Sequence, residues 1–226
     1  MKYENVVKGK FLERPNRFIA YVEIDGSVQV CHVKNTGRCK ELLIPGAEVY
    51  LQESDNPQRK TKFDLICVKK GDKLINIDSQ APNKAFYEWV QNSGYFPNIK
   101  VFKPECKYKN SRFDCYIEYE DKKAFIEVKG VTLEDSGVLM FPDAPTERGV
   151  KHLKELCEAL KDGYEAYVFF IIQMRDALYF TPNKATHPEF ANTLQKAKKS
   201  GVNVLSLCCR VSPEEIEISE FVKVVL

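Results

Sequence analysis

The sequence predicts a two-part α/β protein: a small β-barrel over residues 1–80, followed by a mixed-sheet α/β domain over residues 81–226. Three observations carry that reading. The first 80 residues show only short apolar alternations of period two, broken by turn signals. At Ala81-Pro82-Asn83 the spacing becomes helical. Beyond that point the elements run helix, three strands, helix, strand, helix, strand, the order of a mixed sheet flanked by helices.

In the first part the strand patterns lie near 17–24, 27–34, 46–52, 63–69 and 73–78. Arg-Pro-Asn, Asp-Gly, Asn-Thr-Gly and Pro-Gly punctuate them. Short strands in so small a segment imply a compact barrel, of which the OB type is one candidate. In the second part Asn83 is the expected N-cap of a helix whose stripe is Ala85, Phe86, Trp89 and Val90, stopping before Gly94. Strands follow at about 101–109, 112–119 and 124–131. Thr146 caps the next helix, with the stripe Val150, Leu153, Leu156, Cys157 and Leu160 and a stop at Gly163. Ala166 to Ile172 is continuously apolar, as expected of a strand buried on both faces. A helix at about 188–200 and a strand at 202–208 complete the pattern.

Composition narrows the function classes. At 44 % hydrophobic residues the chain can form a packed core. No apolar run approaches the roughly 18 residues of a membrane span, and Met-Lys-Tyr-Glu-Asn is not a signal peptide. The expectation is a soluble cytoplasmic protein with no membrane partner. Eight cysteines without a Cys-x-x-Cys pair read as reduced thiols rather than as a disulfide framework or a zinc site. The net charge of +2 divides into +3 over residues 1–80 and −1 over the rest. Neither value announces a nucleic-acid binder, and neither excludes a local basic groove. The pattern says nothing of oligomeric state. None of the three histidines lies near a Ser or Cys in a nucleophile motif, and neither a P-loop nor a dinucleotide fingerprint occurs.

The chemistry concentrates in residues 112–130, which read as two strands joined by a charged turn. Asp114 lies on the first strand, Glu127 and Lys129 on the second, and side chains two apart share a face. A two- or four-residue turn centred on Asp121-Lys122 places Asp114 across from Lys129 and diagonal to Glu127. Two carboxylates with an ammonium beside them could make a divalent-cation site for phosphodiester chemistry. A three-residue turn would put Asp114 on the opposite face. The bland alternative is a solvated cross-strand salt bridge.

Nearly the whole chain resembles the sugar fermentation stimulation proteins. The likeness rests on Arg-Pro-Asn-Arg-Phe (14–18), His-Val-Lys-Asn-Thr-Gly-Arg (32–38), Glu-Leu-Leu-Ile-Pro-Gly (41–46) and Ser-Arg-Phe-Asp (111–114). It continues through Glu-Val-Lys-Gly-Val-Thr-Leu (127–133), Phe-Pro-Asp-Ala-Pro-Thr-Glu-Arg-Gly (141–149) and Lys-His-Leu-Lys-Glu-Leu (151–156). The departures are Met174, where the family often has Arg, and His187, where an Asp commonly precedes the Pro.

The resemblance implies an OB-like barrel followed by a restriction-endonuclease-like domain of the PD-(D/E)xK type. It implies Mg²⁺, or Mn²⁺, on Asp114, Glu127 and the Val128 carbonyl, with Lys129 orienting water or neutralising charge. Glu88 is the candidate for an additional carboxylate. The implied function is non-specific nucleic-acid binding, DNA before RNA, with cleavage of phosphodiester bonds. The alternative is a catalytically inactive DNA-binding regulator of sugar metabolism genes, and a weaker one is a small-ligand or protein-interaction module. Arg14, Arg17 and Arg38 in the barrel, with Arg112 and Arg148 in the second part, are the candidate phosphate contacts. Phe18 and Tyr21 are read as core, Lys151 and His152 as a polar helix face. Gln173 is read either as a cleft-lining group or as a satisfied strand-end amide.

Overall fold

The computed structural model describes residues 1–35 and 37–226, so Thr36 of the Asn-Thr-Gly turn signal lies outside the described residues. Six strands build the first part: β1 (Val6–Glu13), β2 (Ile19–Ile24), β3 (Ser27–Val33), β4 (Glu48–Glu53), β5 (Phe63–Lys70) and β6 (Lys73–Asn76). β1 pairs antiparallel with β2 and β4, β2 with β3, and β4 with β5. A parallel β3–β5 pairing closes the ring, giving a five-stranded OB barrel with no open edge. β6 extends β5 as a hairpin outside the ring. Alternating residues of β2, Ala20, Val22 and Ile24, point inward and meet Phe11, Cys31, Val49 and Leu51. Gly9 permits this packing, because a Cβ there would sit 2.5 Å from a Val22 methyl.

The sequence patterns missed β1. Its exposed and buried positions do not alternate cleanly, since it lies between two neighbours and bulges between Phe11 and Glu13.

The second part contains α1 (Ala81–Asn92), β7 (Ile99–Tyr108), β8 (Ser111–Tyr119), β9 (Lys122–Val131), β10 (Leu133–Asp135) and β11 (Val138–Phe141). It continues with α2 (Glu147–Lys161), β12 (Glu165–Ile172), β13 (Tyr179–Pro182), α3 (Pro188–Lys199), β14 (Asn203–Ser212) and β15 (Glu215–Val222). The main sheet has the order β15-β14-β12-β9-β8-β7. Its three central strands are parallel, because α2 and α3 carry the chain across, and its flanks are antiparallel hairpins. This is the mixed-sheet, restriction-endonuclease-like domain.

β12 lies in the middle and is buried almost throughout, which explains its unbroken apolar run. On one face Phe169 packs against Phe86 of α1, ring centroids 4.7 Å apart. On the other, Val168 and Phe170 share a core with Leu153 and Leu156 of α2. Thr146 caps α2 as expected, its side chain accepting the Gly149 N–H. α1 begins earlier than expected: Gln80 is its N-cap position and Pro82 lies in its first turn, where a missing N–H costs nothing. The strands β10, β11, β13 and β15 are short or half-exposed, and so left little periodicity to read. No helix among the described residues is long and apolar enough to cross a membrane.

Polar contacts at two residues, Gln173 and Glu134, help to join the barrel to the second part. Gln173, at the end of β12, donates to the Asn76 side chain and the Asp78 carbonyl at 3.0 Å each. Glu134 of β10 accepts from Lys70 at 2.8 Å and Lys73 at 2.9 Å, both on the β5–β6 hairpin.

Candidate active site

The β8–β9 hairpin turns on two residues, Glu120 and Asp121, with Glu120 in the left-handed region at φ 48°. The register therefore runs from Tyr119↔Lys122 to Cys115↔Ile126. Continued by one step, it sets Asp114 against Glu127, not against Lys129 as the sequence pattern predicts. The slip is even, so the parity that groups Asp114 with Glu127 and Lys129 survives it.

The ladder breaks at that step, and the break is what builds the site. The Val128 N–H donates to Asp114 Oδ2 at 2.8 Å rather than to a strand carbonyl, a charge-assisted bond that outcompetes a neutral one. α1 supplies two further groups. Asn83 donates to Asp114 Oδ1 at 2.9 Å, and the Tyr87 hydroxyl donates to the Asp114 carbonyl at 2.6 Å. The expected cap, Asn83, is thus a positioning group for Asp114.

Glu127 is 2 % exposed. Its Oε1 accepts from both Lys129 Nζ and His152 Nδ1. Its Oε2 is buried with no hydrogen-bond partner among the described residues. His152 projects from α2, and its Nε2 accepts from Arg148 Nε at 3.4 Å, which leaves the ring proton on Nδ1, facing Glu127. Burial and the nearby Glu127 charge raise the Asp114 carboxyl above its ordinary value, against the lowering effect of the Val128 N–H, Lys129 and Asn83. Burial also pushes Glu127 upward, but the Lys129 ammonium and His152 outweigh it and hold that carboxyl below the ordinary range. Two neighbouring carboxylates pulled in opposite directions mark a site where like charges meet with little solvent between them.

The structure brings Asp114, Glu127 and Lys129 together, and does not bring Glu88 to them. Glu88 is exposed and pairs with the N-terminal ammonium at 2.6 Å, being one residue round the helix from Tyr87. His152, read as part of a polar helix face, is buried. The missed signal was its spacing with Gly149, Leu153 and Leu156, which places it on the inner stripe of α2.

The candidate phosphate contacts divide. Arg14 donates to the carbonyls of Gly37, Arg38, Arg17 and Asn35, so it organises the barrel loop from within. Arg17, between β1 and β2, and Arg38, between β3 and β4, are exposed. Arg112 is exposed near Glu105, and Arg112, Arg148 and Lys151 line a recess of about 430 Å³ beside His152. Phe18 is 55 % exposed and Tyr21 half-buried, a correction to their reading as core: Phe18 lies in the bend before β2, and Tyr21 occupies an outward position of that strand. Gln173 is the buried strand-end amide and also lines a cleft between the two parts.

A second cluster, Glu147, His187 and Glu189, has ligand atoms close together. His187 Nδ1 accepts the Thr146 N–H at 3.2 Å, so its Nε2 carries the proton and has no lone pair for a metal. That cluster is a polar group around the N-terminal ends of α2 and α3, with the His187 Nε2 proton facing Glu147 at 3.5 Å.

Comparison with known proteins agrees with this architecture. The family model described as "SfsA N-terminal OB domain" matches residues 12–77, and "Sugar fermentation stimulation protein RE domain" matches residues 80–215. A sugar fermentation stimulation protein homolog of Clostridium beijerinckii is 60 % identical over 226 residues, covering 100 % of both chains. One from Ruminiclostridium cellulolyticum is 60 % identical over 224 residues, covering 99 % of each. The solved structure of Pyrococcus furiosus SfsA in complex with Ca²⁺ superposes with a TM-score of 0.91 at 29 % identity, covering 100 % of this chain and 98 % of that one. The chain belongs to the sugar fermentation stimulation protein family.

Proposed function

We propose that this family member binds nucleic acid without sequence preference, DNA foremost and RNA second, and cleaves phosphodiester bonds at a divalent-cation site on the β8–β9 hairpin. One observation carries the reading: Glu127, whose buried Oε2 has no hydrogen-bond partner among the described residues, neighbours a second carboxylate, Asp114, whose own ionisation is disfavoured. A cation between them relieves both conditions at once. The donors fit a hard ion, since carboxylate and carbonyl oxygens suit Mg²⁺, Mn²⁺ and Ca²⁺. Support also comes from the Pyrococcus furiosus relative, solved in complex with Ca²⁺.

Asp114, Glu127 and the Val128 carbonyl would hold the ion, with Mg²⁺ the first candidate and Mn²⁺ the second. When bound, such an ion polarises a phosphate oxygen and lowers the pKa of a coordinated water. The protein's own residues do the positioning. Asn83 and the Val128 N–H fix the Asp114 carboxylate, and His152 fixes Glu127 through its Nδ1 proton. Lys129 holds its ammonium at Glu127, where it offsets negative charge developing on the phosphate. Arg112 and Arg148 supply cationic charge beside this edge, while Arg17 and Arg38 supply it on the barrel. In this reading residues 1–80 grip the strand and residues 81–226 cut it.

A second reading is a DNA-binding regulator that does not cut. It is favoured by the arrangement of Lys129 and His152, both on one oxygen of Glu127, which already neutralises that carboxylate without an ion. Incubating the purified chain with single- and double-stranded DNA and RNA, in Mg²⁺, Mn²⁺ or EDTA, separates the two. Metal-dependent degradation abolished by Asp114→Asn and by Glu127→Gln supports the nuclease. Binding with no cleavage under any metal condition supports the regulator.

A further inference from the structure

A cavity of about 900 Å³ lies between the barrel and the loop joining β11 to α2. On the barrel side its wall includes Asn35, Gly37 and Arg38, whose three carbonyls accept from Arg14, and Arg17 of the β1–β2 connection, whose carbonyl accepts from it as well. On the other side stand Phe141, Pro142 and Pro145. Asp143 crosses the gap and accepts the Arg38 backbone N–H at 3.0 Å, so the rim is tied from both parts. A side chain at Gly37 would strike Asp143, its Cβ falling 2.7 Å from the carboxylate. The cleft floor includes Gly130, next to Lys129 on β9, and Thr132, just past the end of that strand.

The charge of this cleft is unbalanced. Arg14, Arg17, Arg38 and Lys40 line it, against Glu13 and Asp143. None of the four cations has an ion-pair partner among the described residues, whereas Lys8, Lys62, Lys70, Lys73, Lys122 and others do. Among the described residues the Arg14 guanidinium is bonded only to neutral carbonyls, and its buried Nε has no partner. A guanidinium withdrawn from water without a carboxylate calls for an anion.

We infer that this cleft holds an unpaired nucleic-acid strand, with phosphates on Arg17, Arg38 and Lys40 and bases against the Phe141–Pro142 wall. The inference rests on the nuclease reading for the direction in which the strand runs, toward Lys129. The volume decides between strand and duplex. At about 900 Å³ the cavity is the size of a small-molecule site, room for a few nucleotides and not for a double helix. Charge along a groove with a flat apolar wall is the general recipe for single-strand binding.

The test is fluorescence anisotropy of the full chain in EDTA, which prevents cleavage, with labelled oligothymidylate of about 12 nucleotides. A duplex of the same length and thymidine monophosphate serve as competitors. Expected is binding to the single strand at least tenfold tighter than to the duplex, with the mononucleotide competing only at far higher concentration. Arg17→Ala/Arg38→Ala is expected to weaken binding at least tenfold and to lower the salt dependence by about 1.4 in log–log slope, about 0.7 per lost contact. Lys198→Ala/Lys199→Ala removes the same charge from the exposed end of α3 and leaves affinity unchanged. Both pairs are exposed, and circular dichroism confirms folding. Equal affinity for duplex, an unaffected Arg17→Ala/Arg38→Ala variant, or a mononucleotide that competes as well as the strand would each overturn the inference. The two readings fail separately. Absence of cleavage with this binding intact removes the nuclease, and cleavage with binding indifferent to Arg17 and Arg38 removes the cleft.

Discussion

Glu127 and Glu134 lie seven residues apart on adjoining strands, both buried, both among cations, and their oxygens are used differently. Glu134 is saturated: Oε2 takes Lys70, while Oε1 takes Lys73 and the Gly137 N–H. Burial lifts its carboxyl, yet the two lysines and that N–H bring it down to about 2. Glu127 has two side-chain donors, Lys129 and the neutral His152, but takes both on Oε1 and leaves Oε2 without a partner among the described residues. A carboxylate with both oxygens engaged is a clamp. One with an oxygen left empty in a dry site is poised for an ion. The difference lies in where the donors stand, not in how many there are.

The sharpest break of this comparison is substitution of each glutamate by glutamine. Glu127→Gln is expected to lower metal-dependent cleavage on the order of a thousandfold while the thermal midpoint moves little, measured by a nuclease time course beside calorimetry. Glu134→Gln should behave in the opposite way. Leaving Lys70 and Lys73 without their partner is expected to cost about 3 kcal/mol and to lower the midpoint by about 6–12 °C, with cleavage at 25 °C retained. A Glu134 variant that is stable but inactive would erase the distinction.

Removing His152 is a smaller step. His152→Ala takes one donor from Glu127 Oε1 and is expected to weaken divalent-ion binding about tenfold, read by calorimetric titration with Mg²⁺ or Ca²⁺. Smallest is a pH effect on the clamp. Because the folded carboxyl of Glu134 lies at about 2 against an ordinary 4.5, the stability it supplies is present above about pH 4.5 and lost as pH falls toward 2. Urea unfolding at pH 6 and pH 3 should therefore show a larger acid loss in the wild type than in Glu134→Gln.

Much of the site is legible in the sequence. Strand parity groups Asp114, Glu127 and Lys129, and an even register slip cannot undo it. The register itself is not legible, because a charged turn offers several two-residue centres and only the left-handed Glu120 selects one. Asn83 looks like a cap because Asn is a good one, but Pro82 starts the helix early and releases the Asn83 amide to Asp114. Glu88 and Arg14 stand out in the sequence for their charge. Each finds a partner elsewhere in the fold, the N-terminal ammonium in one case and four loop carbonyls in the other.

Local sequence by itself determined the elements and their faces. The period of two closed a barrel wall, the period of 3.6 set the α2 stripe, and the apolar run of β12 demanded cover on both sides. Those are properties of neighbouring residues, so a linear reading reaches them. Only the tertiary structure decided which polar atoms end without partners among the described residues, Oε2 of Glu127 and Nε of Arg14 among them, and where the cleft carries uncompensated charge. Hydrogen-bond satisfaction is settled between groups tens to more than a hundred residues apart, and the atoms it leaves bare are those with capacity for a ligand.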